Sequence, residues 1–201
     1  DDRGRLVTSA KRARLLYRNQ KYETATAKNF PVRMLSSHRF RNSLTVQFRP
    51  IKPSDEDGMR ALFYRFSDES IYRRYFGAVQ KMPHVKMQEY TSIDYDRVMS
   101  IVGVVHEGGL EQIIAEGRYK QAGFGGYADV SFIVDERYQG YGIATHLGKM
   151  LMDVARKQGL KGFSAHILQE NAAMVKVMKK TARPGRVAMD EGLQTYSFTF
   201  A

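Results

Sequence analysis

The residues with the clearest chemical meaning are Asp135-Glu136-Arg137-Tyr138-Gln139-Gly140-Tyr141-Gly142-Ile143-Ala144-Thr145. An apolar strand pattern ends just before them and an amphipathic helix pattern follows. A helix N-terminus presents unpaired N–H groups and a partial positive charge. Glycines take φ > 0 and let a ligand approach the backbone closely. Together these make an anion cradle suited to a pyrophosphate. Two common nucleotide motifs do not fit it. A P-loop needs Gly-x4-Gly-Lys-Ser/Thr, and the turn has no Lys. A dinucleotide fingerprint needs a third glycine where Thr145 stands, and this turn comes late, after several strands. Two glycines before a helix can also serve a purely structural turn.

The elements that must position this turn can be read on either side of it. Leu44-Thr45-Val46-Gln47-Phe48-Arg49 alternates apolar and polar residues, a half-buried strand. Pro50 and Pro53 end it. Ser54-Asp55-Glu56-Asp57 reads as an N-cap with acids in the first turn. Met59, Leu62, Phe63 and Phe66 then recur at helical spacing. A second short helix runs from Ser70 to Phe76 and stops at Gly77, and Pro83 opens a third helical patch. Three strands follow at Val98–Val105, Gln112–Tyr119 and Tyr127–Val134, with turns at Gly108-Gly109 and Gly123-Phe124-Gly125-Gly126. After the glycine turn, Leu147, Met150, Leu151, Val154 and Ala155 mark one helix face, and Gly159 ends that helix. Gly162–Leu168 is a strand, Asn171–Lys180 a helix, and Leu193–Phe200 a strictly alternating strand. The order β-α-α-β-β-β-α-β-α-β predicts an α/β (α+β) domain built on one central sheet.

Composition bounds the function. A chain of 201 residues with 43% hydrophobic and 26% charged residues suits one globular domain with an appendage. It has no cysteine, which removes disulfides, thiolate metal sites and a cysteine nucleophile together. A reducing cytoplasm is the simplest expectation. No apolar run approaches the roughly 20 residues of a membrane helix, and the start lacks a signal-peptide pattern. The net charge is +11, of which residues 1–50 carry +9 (12 Lys/Arg against 3 Asp/Glu) and the remainder +2. The basic excess therefore belongs to the N-terminal segment. Ala10–Arg18 favours a helix. Leu6, Leu15, Leu16, Tyr17, Tyr22 and Phe30 interrupt the charges, and no block of like charges forms. Residues 1–42 read as an extension or linker, the tail of a preceding domain, rather than a nucleic-acid arm. A chain that starts at Asp1 reads as a piece of something longer.

Arg137-x-x-Gly140-x-Gly142, set between strand and helix after this element order, resembles the acetyl-CoA-binding motif of the GNAT family of N-acetyltransferases. The resemblance covers about Leu44 to Phe200. It implies a single mixed, splayed sheet of about six to seven strands flanked by about four helices, spanning residues 43–201. Within the family, Ser67–Phe76, Ala128–Val134 and Gln169–Met174 are similar to the GNAT domains of bacterial protein lysine acetyltransferases. Those domains are often fused to a CoA ligase-like or CoA transferase-like module. The pattern departs in two places. Asp129 stands where those domains usually have Glu, and Thr181-Ala182-Arg183-Pro184-Gly185-Arg186 replaces a usual Gly-Phe.

The resemblance implies transfer of an acetyl group from acetyl-CoA to an amine, with a protein lysine as one candidate acceptor, and with no metal. It places the donor along Phe132, Ile133 and Val134, on Arg137, Tyr138, Gln139, Gly140, Tyr141, Gly142, Ile143 and Ala144, and at Asn171. A backbone N–H near Ile133 or Phe132 would face the thioester oxygen, and Asn171 would bond the pantetheine arm while also capping its helix. A lysine amine, with a pKa of about 10.4, needs a base to remove its proton. Asp129 is the first candidate, sharing a strand face with Tyr127, Ser131 and Ile133. Glu116 and Glu107 are weaker candidates. His166 reads as a core histidine. The alternative is a non-catalytic acetyl-CoA sensor within a larger CoA-using enzyme.

Overall fold

The computed structural model describes residues 31–77, 79–121, 126–190 and 193–200. The helix expected over Ala10–Arg18, the rest of residues 1–30 and most of the turn at Gly123–Gly126 lie outside them. Within them, eight strands form one sheet: β1 (Ser36–Arg39), β2 (Thr45–Pro50), β3 (Val98–Glu107), β4 (Leu110–Gln121), β5 (Tyr127–Val134), β6 (Gly162–Leu168), β7 (Arg183–Asp190) and β8 (Leu193–Thr199). Their spatial order is β1-β2-β3-β4-β5-β6-β8-β7. Every neighbouring pair is antiparallel except β5 and β6, which are parallel. Among the described residues, five α-helices flank the sheet: α1 (Glu56–Phe63), α2 (Asp68–Tyr75), α3 (His84–Thr91), α4 (Ile143–Lys157) and α5 (Ala172–Thr181). None is long and apolar enough to cross a membrane.

Alternation along β4 assigns the helices to faces. A Cβ on Gly117 would come within 3.2 Å of Leu147 Cβ on α4. The next ring on that face, Tyr119, donates its hydroxyl to Gln158 at the end of α4, at 2.6 Å. The alternate residues Glu116 and Arg118 point the other way, towards Tyr90 on α3. So α4 lies beneath one face and α3 covers the other. On α4, Leu147, Leu151 and Ala155 are fully buried, while Met150 and Val154 are partly buried at the margin of the same stripe. Burying a large apolar side chain contributes about 1.5–3 kcal/mol, so this stripe is what seats the cradle-bearing helix.

The six strands expected from alternation all form, and two more join them. β1 is exposed at all four residues, so it has no apolar period to reveal it. It adds residues upstream of Leu44 to the sheet. β7 carries Pro184 and Gly185 and shifts register between Pro184 and Val187. Proline is tolerated there because β7 is an edge strand. The cap expected near Ser54 takes another form. Pro53–Asp55 is a short 3-10 turn, and the Asp55 carboxylate is taken by Arg49 (2.6 and 2.9 Å) and by the Lys52 amide (2.9 Å).

A polar network stands inside the α3-facing layer. Glu116, fully buried, accepts from Ser100 Oγ (2.6 Å), Tyr90 Oη (2.7 Å) and Arg118 Nε (2.9 Å). The Arg118 guanidinium lies 3.5 Å from the centre of the Tyr90 ring, and Arg74 donates to the Tyr90 hydroxyl at 3.1 Å. Burial alone would raise the Glu116 pKa. The charges of Arg118 and Arg74, with the Ser100 and Tyr90 hydrogen bonds, outweigh burial and hold it below the usual carboxylate range. A depressed folded pKa gives stability that is present above the unfolded glutamate value, about 4.3, and is lost as pH falls through the folded value. Glu116→Gln should therefore cost about 3 kcal/mol in urea unfolding at pH 7. The gap to wild type should narrow below about pH 4. A gap of constant size at both pH values would mean that the charge of Glu116 contributes nothing.

Candidate active site

The site begins where two strands part. β5 and β6 pair only at Tyr127↔Gly162, Ala128↔Phe163 and Asp129↔Ser164. Beyond Asp129, β5 keeps its ladder with β4 as far as Val134, and β6 keeps its ladder with β8 as far as Leu168. The wedge between them opens into a cleft of about 600 Å³. The Asp135 amide donates to Ile114 O on β4. Amide directions alternate along a strand, so the amides of Ile133 and Ser131 also face β4. Those of Val134, Phe132 and Val130 face the wedge. The Val134 carbonyl agrees, since it accepts from the Gln139 side chain at 3.1 Å and not from β4.

At the open end lies the start of α4. Gly140 and Gly142 have φ of 80° and 96°, and Gly142 is the N-cap. The first intrahelical bond of α4 runs from the His146 amide to Gly142 O at 3.0 Å. The amides from Gly142 to Thr145 therefore have no intrahelical acceptor. A Cβ on Gly140 or Gly142 would meet nothing within 4 Å, so the space in front of these glycines is open.

Two acids hold the turn in place. Asp135, buried at the end of β5, accepts from the Arg137 amide (3.1 Å), from the Arg137 guanidinium (3.1 and 3.0 Å) and from Arg65 just after α1 (2.8 Å). Burial would raise its pKa, but the Arg137 and Arg65 hydrogen bonds prevail and lower it. Glu136 accepts at one oxygen from the Ser67 amide (3.0 Å), Ser67 Oγ (2.6 Å) and Ser70 Oγ (2.7 Å), which ties the turn to the start of α2. Hydrogen bonds from Ser67 and Ser70 lower its pKa.

Most of the residues read from the sequence converge on this cleft. Asp129, Phe132, Ile133, Val134, Tyr138, Gln139, Gly140, Gly142, Ile143, Ala144 and Asn171 line it. Arg137 and Tyr141 do not: Arg137 is engaged by Asp135, and Tyr141 packs against the core. Asp129 is exposed within the cleft and accepts from Ser164 Oγ. Asn171 accepts from the Met174 amide at 3.1 Å as the cap of α5, leaving its Nδ2 as the donor at the cleft. Neither weaker base candidate lines the cleft. Glu116 is surrounded by its three donors, and Glu107 accepts from the Tyr138 hydroxyl. His166 is not a core residue. It is exposed, lines the cleft and contacts Thr195 Oγ1 at 2.9 Å, because it shares the strand face of Ser164.

The reading of the sequence missed the charge of the lining. Among the described residues, Arg41, Arg73, Arg74, Arg118, Lys120, Lys176 and Lys180 surround the cleft, against the single carboxylate of Asp129. Lys176 and Lys180 stand four apart on α5, a spacing visible in the sequence. The others come from three separate elements: the β1–β2 turn, α2 and β4. A concave site with this sign concentrates anionic ligands.

A mixed sheet parted over a glycine-led helix N-terminus, with amides and cations facing the gap, makes a site suited to an anionic ligand. The chain belongs to the GNAT acetyltransferase family: residues 45–181 match the model of the acetyltransferase (GNAT) domain. It is similar to the GNAT domain of the Pat protein acetyltransferases. It is 34% identical over 133 residues to acetyltransferase Pat of Mycolicibacterium smegmatis, covering 66% of this chain and 39% of that protein. The GNAT domain of S. lividans PAT superposes with a TM-score of 0.77 at 27% identity, over 86% of this chain and all of that one. The cAMP-binding acyltransferase from Mycobacterium smegmatis superposes at 0.53 with 26% identity, over 85% of this chain and 49% of that one. The chain thus spans less than half the length of the mycobacterial relatives.

Gly142→Val tests the cradle. Valine is strained at a φ of 96° but meets no neighbour, so the domain should fold with a modest loss of melting temperature. Its side chain would fill the space in front of the free amides. Calorimetry should show affinity for acetyl-CoA falling by about a hundredfold, or roughly 2.7 kcal/mol. Normal binding would place the phosphates elsewhere.

Proposed function

We propose that this domain moves the acetyl group of acetyl-CoA to an amine, and that the amine is a lysine side chain of a protein. The wedge between β5 and β6 carries the reading. It sets the Phe132 amide, the free amides of α4 and the Asp129 carboxylate around one cleft. The amine nitrogen attacks the thioester carbonyl carbon, the C–S bond breaks, and the sulfur leaves as a thiolate that takes up the proton shed by the acylated nitrogen to give the thiol of CoA. Asp129 takes the proton of the amine, directly or through a water. The hydrogen bond from Ser164 holds the Asp129 carboxylate in position. The Phe132 amide is the donor for the oxygen that gains charge in the transition state. The Nδ2 of Asn171 bonds the pantetheine arm, and the α4 amides receive the pyrophosphate.

Likeness to the Pat domains supports a protein lysine as acceptor. The coverage of the mycobacterial proteins supports a module joined to another, of CoA-using or regulatory type. A purely acetyl-CoA-sensing role is the second reading. It is favoured by the short Asp129 side chain, which Ser164 already engages.

Two measurements test this. Acetyl-CoA should bind saturably in a calorimetric titration, and NAD should not. Asp129→Asn should lower kcat for lysine acetylation by about a hundredfold with little change in acetyl-CoA affinity. Unaltered turnover would move the base to another group. Wild-type binding without any turnover would establish the sensing role instead.

A further inference from the structure

We propose that Arg41, on the turn between β1 and β2, binds a phosphate of the CoA nucleotide, which makes the sheet-edge hairpin part of the donor site. This rests on the reading that the cleft takes acetyl-CoA.

Arg41 lines the cleft although it lies far from the cradle in sequence. The other arginines of the lining have partners. Arg73 pairs with Glu69 at 2.6 Å, Arg118 with Glu116 at 2.9 Å, and Arg74 donates to Tyr90 at 3.1 Å. Among the described residues, the exposed Arg41 guanidinium has neither an ion pair nor a hydrogen bond.

The hairpin is held against the cradle helix rather than by burial of its own strand. β1 is exposed throughout. Yet the His38 ring stacks on His146 of α4, with centres 4.4 Å apart and planes 30° apart. Phe40 sits edge-on to His146 at 5.8 Å, and Phe48 lies 4.7 Å from it. His146 directly follows Thr145, whose amide is the last free donor of the cradle. The turn itself is closed. The Phe40 amide donates to Leu44 O at 2.7 Å, the Leu44 amide to Arg41 O at 3.3 Å, and Arg39 to Ser43 Oγ at 2.8 Å. Asn42 and Ser43 both hold positive φ, 55° and 59°. Consecutive non-glycine residues in the left-handed region are uncommon, and such strain gathers where a side chain must be aimed.

The chemistry fits. The α4 amides offer neutral donors and a partial charge. CoA carries both a pyrophosphate and a 3′-phosphate. A guanidinium adds a full charge and a fork of donors that matches phosphate oxygens.

The test is calorimetry on the 201-residue chain with acetyl-CoA and acetyl-3′-dephospho-CoA, comparing wild type, Arg41→Ala and Arg41→Lys. Arg41→Ala should weaken acetyl-CoA by about tenfold, as loss of one charge-assisted contact does. Its melting temperature should match wild type. Arg41→Lys should recover part of the loss, and the penalty should shrink at high salt. If the penalty vanishes with the dephospho donor, the contact is to the 3′-phosphate. If it persists, the contact is to the pyrophosphate. Wild-type binding with Arg41→Ala unaffected would overturn this inference alone. A wild-type chain that binds no acetyl-CoA would overturn the donor reading and this one with it.

Discussion

The constraint on which the rest depends is that β5 and β6 each follow a different neighbour. β5 is laddered to β4 from Ala128 to Val134, and β6 to β8 along its whole length. Both ladders are antiparallel, and each fixes the direction of its strand. The parallel pairing between β5 and β6 holds only at the base, from Tyr127 to Asp129. That base is tight. A Cβ on Gly162 would collide with the carbonyl oxygen of Phe198 and crowd the Tyr127 ring. The two half-sheets meet there and separate above it.

The cradle inherits its position from this separation. α4 follows β5 directly, so its first turn lies at the mouth of the wedge. Asp135 and Glu136 then fix the turn to α1 and α2 through Arg65, Ser67 and Ser70. The far end of α4 is tied as well. Gln158 accepts from Tyr119 and donates to Tyr95 O at 3.1 Å. A helix held at both ends keeps its N-terminal donors aimed at one place. Pre-aligned donors lose little order when a ligand arrives.

Much of this was legible in the sequence, for identifiable reasons. The strands with one buried face announced themselves by alternation, and α4 by its stripe at Leu147, Leu151 and Ala155. The glycine turn was legible because positive φ and an open approach both require glycine. β1 and β7 were hidden because edge strands bury little and so carry no period. The clamp on Glu136 was hidden because it joins Ser67 to a residue 69 positions away. His166 was misread because a strand beside a wedge has one face open, and an apolar neighbourhood in sequence does not say which. Glu116 and Asp129 differ by environment alone. One is enclosed by donors and the other faces the cleft, and no local pattern distinguishes them.

A parted ladder has a further consequence. The outer edges of a sheet are where unpaired N–H and C=O groups invite another chain to add as a strand. Here the upper parts of β5 and β6 present two such edges facing one another inside the sheet. A polypeptide strand would need about 4.8 Å to each side to pair with both. A wedge supplies that spacing at only one depth, so an entering strand could pair fully with neither wall. A thinner chain with amide groups spaced along it meets no such mismatch. The taper thus acts as a gauge that admits a narrow extended ligand and turns away a strand.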